Sequence, residues 1–258
     1  MRILVCVKSV PETETSFRVN REGNSYDESG LQFKVNEYDL CAVEEAIRIK
    51  EKLGEARITI VSVGPPRVEE QIRKAMGLGA GYGVRIDDSG ESAMDALSIA
   101  GLIAAWARPQ QFDLILAGVM SQDLQRCQVG PMLAQLLGLP CATTVVKMDF
   151  SKNRKKLVCE RELEGGARER VELPLPALLT IQSGINIPRY ASLSNVLRVK
   201  KLEIPVVPAS GLGKLRSSEK ILQASLSAPA AGCEFLKGDP DQVADELIDK
   251  IRSRLHIL

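Results

Sequence analysis

The stretch 113-DLILAGVMSQDLQRCQVGP-131 decides the architecture. Residues 113–117 form a short apolar run, a polar loop follows, and Gly130-Pro131 suits the start of a helix, because proline lacks an N–H that the first helical turn leaves unpaired anyway. Strand, loop and helix start in that order are the unit of an α/β fold. In such folds the loop lies at the carboxyl end of its strand, where helix N-termini direct free N–H groups outward.

Working outward, β-branched or aliphatic runs recur at residues 3–7, 58–63, 83–86 and 114–117. They alternate with helical patterns at 36–52, 67–76 and 92–107. This alternation predicts a parallel sheet with helices on both faces. The near-continuous runs ILVCV and ITIVSV indicate strands buried on both sides. Asn36 is expected to cap the first helix, with Asp39 three residues on completing a variant capping box, and Gly77 to end the second. Between the first strand and helix lies a polar excursion, residues 9–35, with a hairpin turning at Glu22-Gly23-Asn24; a loop this long is usually functional. From residue 142 apolar and polar residues alternate around turns at 152–154 and 164–166, predicting an antiparallel ribbon over 142–173 added to the parallel core. Residues 177–182 read as one more core strand. Residues 1–201 are thus expected as one α/β domain and 202–258 as a C-terminal arm, helical only over 242–255.

Composition narrows the function. Thirty-four basic residues stand against 33 acidic ones, a net charge of +1, so no whole-molecule field favours nucleic acid or an anionic membrane. No apolar stretch approaches the ~20 residues of a membrane helix, and the N-terminus is too soon interrupted for a signal peptide. A cytoplasmic setting, or the mitochondrial matrix in a eukaryote, is expected. The six cysteines show no CxxC spacing, and the single histidine is His256, which argues against a Cys/His metal site. GLGAGYG at 77–83 lacks the dinucleotide spacing and follows a helix, so it reads as a helix end and turn. With no P-loop, nucleophile elbow or HExxH, no catalytic side chain is expected.

A binding site is expected at the carboxyl edge of the sheet. There Cys6-Val7-Lys8, Val63-Gly64-Pro65-Pro66 and the quoted loop should meet, with Asn36 to Asp39 within reach. Gly118 allows close backbone approach, Ser121 and Gln128 offer hydrogen bonds, and the helix beginning at Val129, Gly130 and Pro131 can face a phosphate. A nucleotide is the natural guest. Asp123 and Arg126 either pair with each other or bind the ligand. A second distinctive stretch, 188-PRYASLSNVLRVKK-201, holds Tyr190, Leu193, Asn195 and Val196 ahead of Arg198, Lys200 and Lys201. It is either a surface helix with Leu193 tucked inward or an exposed apolar anchor ringed by basic residues that steer a partner.

These two stretches, with VCVKSVPET at 5–13, VNEYDLCAVEEAIRIKE at 35–51 and CERELEGG at 159–166, resemble the β subunit of the electron-transfer flavoproteins over residues 2 to about 205. The resemblance implies an adenine-nucleotide-binding α/β fold and a heterodimer whose α subunit carries a redox FAD, with the 202–258 arm on that subunit. It implies a second adenine nucleotide, FAD or AMP, in the β subunit, on Cys6, Asn36, Asp39, Val63, Ser121, Gln128, Val129 and Gly130. It places Thr13 near the flavin, Leu193 as the anchor for dehydrogenases of the acyl-CoA type or similar, and Glu162 facing the FAD domain of the α subunit. The electron-bifurcating branch, which takes electrons from NADH, shows Val-Pro-Asp-Thr near the start and Gln-Val-Gly-Pro in the loop; Val10-Pro11-Glu12-Thr13 and Gln128-Val129-Gly130-Pro131 lean that way. Leu124, Gln125, Arg126 and Cys127 depart from both branches. The rival from another class is a stand-alone stress-protein-like nucleotide-binding module, which ordinarily stops near residue 150 and lacks the ribbon and arm.

Overall fold

Hydrophobic runs of alternating facing and short βα connections build the chain, seen here in a computed structural model. The structure describes residues 1–12, 16–88, 94–213, 217–227 and 232–255. Along the chain lie β1 (Arg2–Cys6), the short strands β2 (Ser9–Pro11) and β3 (Phe33–Val35), α1 (Glu37–Leu53), β4 (Arg57–Val63), α2 (Val68–Gly77), β5 (Tyr82–Asp87), α3 (Ala96–Ala107), β6 (Leu114–Gly118), α4 (Val129–Leu137), β7 (Cys141–Phe150), β8 (Lys156–Glu162), β9 (Arg168–Pro174), β10 (Ala177–Ile181), α5 (Leu193–Lys200), β11 (Val206–Pro208) and α6 (Pro240–Leu255).

The main sheet runs β11-β5-β4-β1-β6-β10-β7-β8-β9. Neighbours from β11 to β7 pair in parallel, and β8 and β9 continue the sheet antiparallel as the ribbon. Side chains alternate as the two-residue period of a strand requires. Ile3, Val5, Ile58, Ile60, Leu114 and Leu116 pack under α1 and α2 on one face. Leu4, Cys6, Val61, Ile115 and Ala117 meet α3 and α4 on the other. From β1 the chain moves outward through β4 and β5, then returns to lay β6 on the opposite side of β1. The strand order therefore reverses between β1 and β6, and a crevice opens beyond their carboxyl ends.

Several local expectations are corrected. Asn36 precedes α1 but makes no side-chain cap; its amide is taken up by the loop after β6. α2 runs through Gly77 and ends at Leu78 in right-handed geometry, with the positive φ falling on Gly79. A side chain at Gly77 would touch Ala191, so this glycine serves helix packing rather than a turn. α3 starts at Ala96, capped by Asp95, which accepts from Ser98 N. The polar excursion holds the expected hairpin, with Val19 bridging Tyr26, and also the unforeseen antiparallel pair β2-β3. Residues 206–208, within the stretch expected as an arm, form the β11 edge beside β5.

The chain divides into two compact units, Met1–Ala224 and Ser225–Leu258. The second holds α6, which starts with proline at its first position, as suits a helix N-terminus. Asp239 accepts from Asp241 N and Gln242 N there, and Glu234 pairs with Lys250 and Arg254. Leu247, Ile248 and Ile251 are exposed along α6. Among the described residues no helix is long and apolar enough to cross a membrane.

Candidate functional site

A cavity of about 200 Å3 opens at the β1/β6 crevice. The three strand ends supply its walls: Cys6, Val7 and Lys8 from β1, Val61 to Val63 from β4, and Ala117 and Gly118 from β6. Ser121, Leu124, Arg126 and Cys127 stand along the loop that follows, and Gln128, Val129 and Gly130 begin α4. The first N–H groups of a helix have no intrahelical partner, so Val129 and Gly130 present donors and a partial positive charge. Two buried side-chain atoms of the lining residues, Ser62 Oγ and Gln128 Oε1, have no hydrogen-bond partner among the described residues. Buried polar atoms of this kind ordinarily find one.

Asn36 and Asp39 hold the crevice together. The Asn36 amide donates to Met120 O (2.8 Å) and accepts from Gln122 N (3.0 Å), fixing the loop after β6 to the start of α1. Asp39 accepts from Lys8 N (2.8 Å) and Gly118 N (2.9 Å), joining the ends of β1 and β6. Burial pushes the Asp39 carboxyl up to about 7, against the pull of these N–H groups. Burial, then the neighbouring Asp39 charge, pushes the Cys6 thiol far above its ordinary range, so this cysteine is an apolar wall and not a nucleophile.

The loop resolves the choice left open for Asp123 and Arg126: neither pairs with the other. Asp123 accepts from Lys8 Nζ at 2.6 Å. Burial raises its carboxyl, but the Lys8 ammonium, the Ser121 hydroxyl and Leu124 N–H outweigh that and hold it below the usual range. Arg126 pairs with Glu219, far along the chain. Gln125 and Cys127 both take positive φ, a conformation costly for residues with a Cβ.

The glycines are explained by the protein itself. A Cβ at Gly118 would lie 2.4 Å from Asp39 Oδ1, and one at Gly130 would lie 2.4 Å from Thr180 Cγ2. Gly118 therefore admits the start of α1, and Gly130 lets α4 approach β10. Gly64 stands outside the cavity wall: its O accepts from Arg85 (3.1 Å), a buried residue that also pairs with Glu69 and Asp87. Asp123 likewise stands behind the wall rather than in it. Thr13 lies outside the described residues.

Sequence reasoning missed the apolar wall from α3 and the residue before its cap, where Met94, Ala96, Ile99 and Ile103 line the cavity. It also missed Ser62, although a serine near the end of the apolar run ITIVSV was a signal.

The segment after β10 is built oppositely. Ile187, Tyr190 and Leu193 are 90%, 99% and 74% exposed. The inward reading of Leu193 is thus corrected: it opens α5, capped by Ser192 Oγ, which accepts from Asn195 N. On the same short helix Val196 is half-buried and Lys200 is exposed beside it. Arg189 grips both buried Glu44 (2.9 Å) and Glu51 (2.6 Å) on α1. Arg73 donates to Val199 O and Leu202 O, fixing the other end to α2. Glu162 is at the end of β8, where its carboxylate accepts from Gln182 Nε2 (3.1 Å).

The model of the electron transfer flavoprotein domain matches residues 23–212. The chain belongs to the electron transfer flavoprotein family. It is 36% identical over 214 residues to the electron transfer flavoprotein subunit beta of Methylophilus methylotrophus, covering 83% of this chain and 81% of that one. With the subunit beta of Bacillus subtilis it shares 34% identity across the full length of both chains, and with the human subunit beta 34% over 83% of each. Membership of the electron transfer flavoprotein family sets aside the stand-alone stress-protein reading, because the match extends through the ribbon and α5.

Proposed function

We propose that the chain is the β half of a heterodimeric electron carrier and that its crevice holds an adenine nucleotide. The observation that carries this reading is the cavity itself: a largely apolar chamber at the switch point, lined by Ser62 and Gln128, whose buried Oγ and Oε1 find no partner among the described residues, and by Val129 and Gly130 at the start of α4. These groups fit a purine with a phosphate: apolar walls for the ring, hydroxyl and amide groups for its edges, the helix start for the anion. Lys8 and Arg126 supply the nearby positive charge. Cys6, Asn36, Asp39, Val63, Gly118, Ser121, Val129 and Gly130 are the other proposed nucleotide contacts, with Gly64 and Asp123 in support. The nucleotide is AMP or a second FAD; the Gln-Val-Gly-Pro loop favours FAD, and with it bifurcation of electrons drawn from NADH.

A bound flavin supplies the redox chemistry, and the protein's residues orient it and exclude water. The α subunit carries or shares the FAD, Glu162 faces its domain, and residues of the 202–258 arm lie on it. Tyr190, Leu193, Asn195, Val196 and Lys200 receive a dehydrogenase of the acyl-CoA type or similar; exposed apolar side chains on a clamped segment are what such a contact needs. The expected compartment is the cytoplasm, or the mitochondrial matrix in a eukaryote. Purifying the α/β pair, denaturing it and counting FAD and AMP per heterodimer tests the reading. Two FAD, or one FAD and one AMP, is expected; a pair with no adenine compound beyond the α-subunit FAD overturns it.

A further inference from the structure

Residues 217–224 are tied to three separate elements, two of which belong to the cavity wall. Ser218 N donates to Asp95 Oδ2 (2.6 Å), the residue capping α3, whose first turn is cavity wall. Glu219 pairs with Arg126 of the lining. Ala224 N donates to Gly23 O (2.8 Å) at the tip of the hairpin that Val19 and Tyr26 bridge. Asp95 is well suited to its anchoring part. Burial raises its carboxyl, but the bonds from Ser98 and Ser218 outweigh this and bring it down to about 2.

We infer that residues 217–224 form a strap across the mouth of the cavity, and that Glu219 holds on Arg126 the place of an anionic group of the guest. The inference rests on the nucleotide reading above. Each of the two lining cations already has a carboxylate, but the two pairs differ in kind. Lys8 and Asp123 meet with the carboxylate largely buried behind the wall. Arg126 and Glu219 are each more than a third exposed, and a solvated pair of this type is weak. A phosphate offers the guanidinium two acceptor oxygens in matching geometry and more charge than a carboxylate, while the start of α4 adds N–H donors on the same side. A phosphorylated guest displaces Glu219 and releases the strap; an uncharged nucleoside leaves the latch shut. Glu219 thereby sets how strongly the site favours phosphorylated over unphosphorylated guests, although it contacts neither.

The test titrates the nucleotide-free full-length chain with AMP and with adenosine by calorimetry, as wild type, Glu219→Gln and Arg126→Gln. Removing the competing carboxylate is expected to tighten AMP by about two- to fivefold, the scale of an exposed ion pair, and to leave adenosine unchanged. The gain shrinks at high salt, and Arg126→Gln loses the preference for AMP. Trypsin cleavage after Lys220, within the strap, should quicken with AMP and not with adenosine. An unchanged ratio of AMP to adenosine affinity in Glu219→Gln overturns the latch while leaving the nucleotide site intact. Failure of the wild type to bind either ligand overturns both.

Discussion

β6 and β10 are adjacent parallel strands ending at the same edge of the sheet, yet the loops that leave them invert the usual division of residues in different ways. The loop after β6 turns charged and amide groups inward: Asn36 ties down its backbone, Lys8 meets Asp123, and Gln128 faces the cavity. The segment after β10 turns apolar groups outward, with Ile187, Tyr190 and Leu193 in solvent. Each arrangement is costly alone, and each is held by buried carboxylates on α1: Asp39 for the first, Glu44 for the second. One helix thus positions a polar interior and an apolar exterior. The contrast teaches that a receptor site and a docking surface can be neighbours if the charge that shapes each is spent inside the protein.

The sharpest way to break the comparison is through Asp39. Its folded carboxyl titrates near 7 against 3.8 for the ordinary group, so the native state keeps a proton that the unfolded chain releases. Stability from this group is present below about pH 4 and lost as pH rises to about 7, by on the order of 3–4 kcal/mol. Urea midpoints across that range should decline in the wild type. The decline should be shallower in Asp39→Asn, even though that protein is weaker throughout for want of its second acceptor; parallel slopes would show that the carboxyl is charged in the fold.

Next in size is Gly130→Val, which drives a side chain into Thr180 and forces α4 off β10. A loss of about 1–3 kcal/mol is expected, together with loss of bound nucleotide, read from thermal melting and from released adenine compounds. Retained nucleotide would mean that the start of α4 is not a contact.

Arg189→Ala sharpens the other side of the comparison. It leaves the buried Glu44 without its guanidinium, at a cost of about 1–2 kcal/mol, below the value for a fully buried pair because Arg189 is partly in water. Nucleotide content should not change, while affinity for a partner dehydrogenase should fall. Arg189→Lys, which cannot span Glu44 and Glu51 in the same fork, should recover only part.

The smallest effect on stability, under about 0.5 kcal/mol, belongs to Leu193→Ala, since the side chain is in solvent. Partner binding should nonetheless weaken roughly tenfold, measured by electron transfer from the dehydrogenase at limiting carrier. Unchanged transfer would leave the exposed leucine without a docking role.

Much of this architecture was legible in the residues. Strands buried on both faces leave near-continuous apolar runs, so β1, β4 and β6 and the parallel core were readable, as was the ribbon from its alternation. The meeting of Lys8, Ser121 and Gln128 at one edge also followed, because parallel strands all end there. β2, β3 and β11 are three residues long and carry no period to detect.

What only the tertiary structure decided were the partners. Lys8 with Asp123, Arg126 with Glu219, and Asn36 with Met120 and Gln122 join residues 84 to 115 positions apart. An ion pair or amide bond is satisfied by any complementary group that folding brings within reach, so residue type announces that a partner is needed without naming it. Periodicity is local and survives in the sequence; complementarity across a crevice exists only once the chain has closed around it.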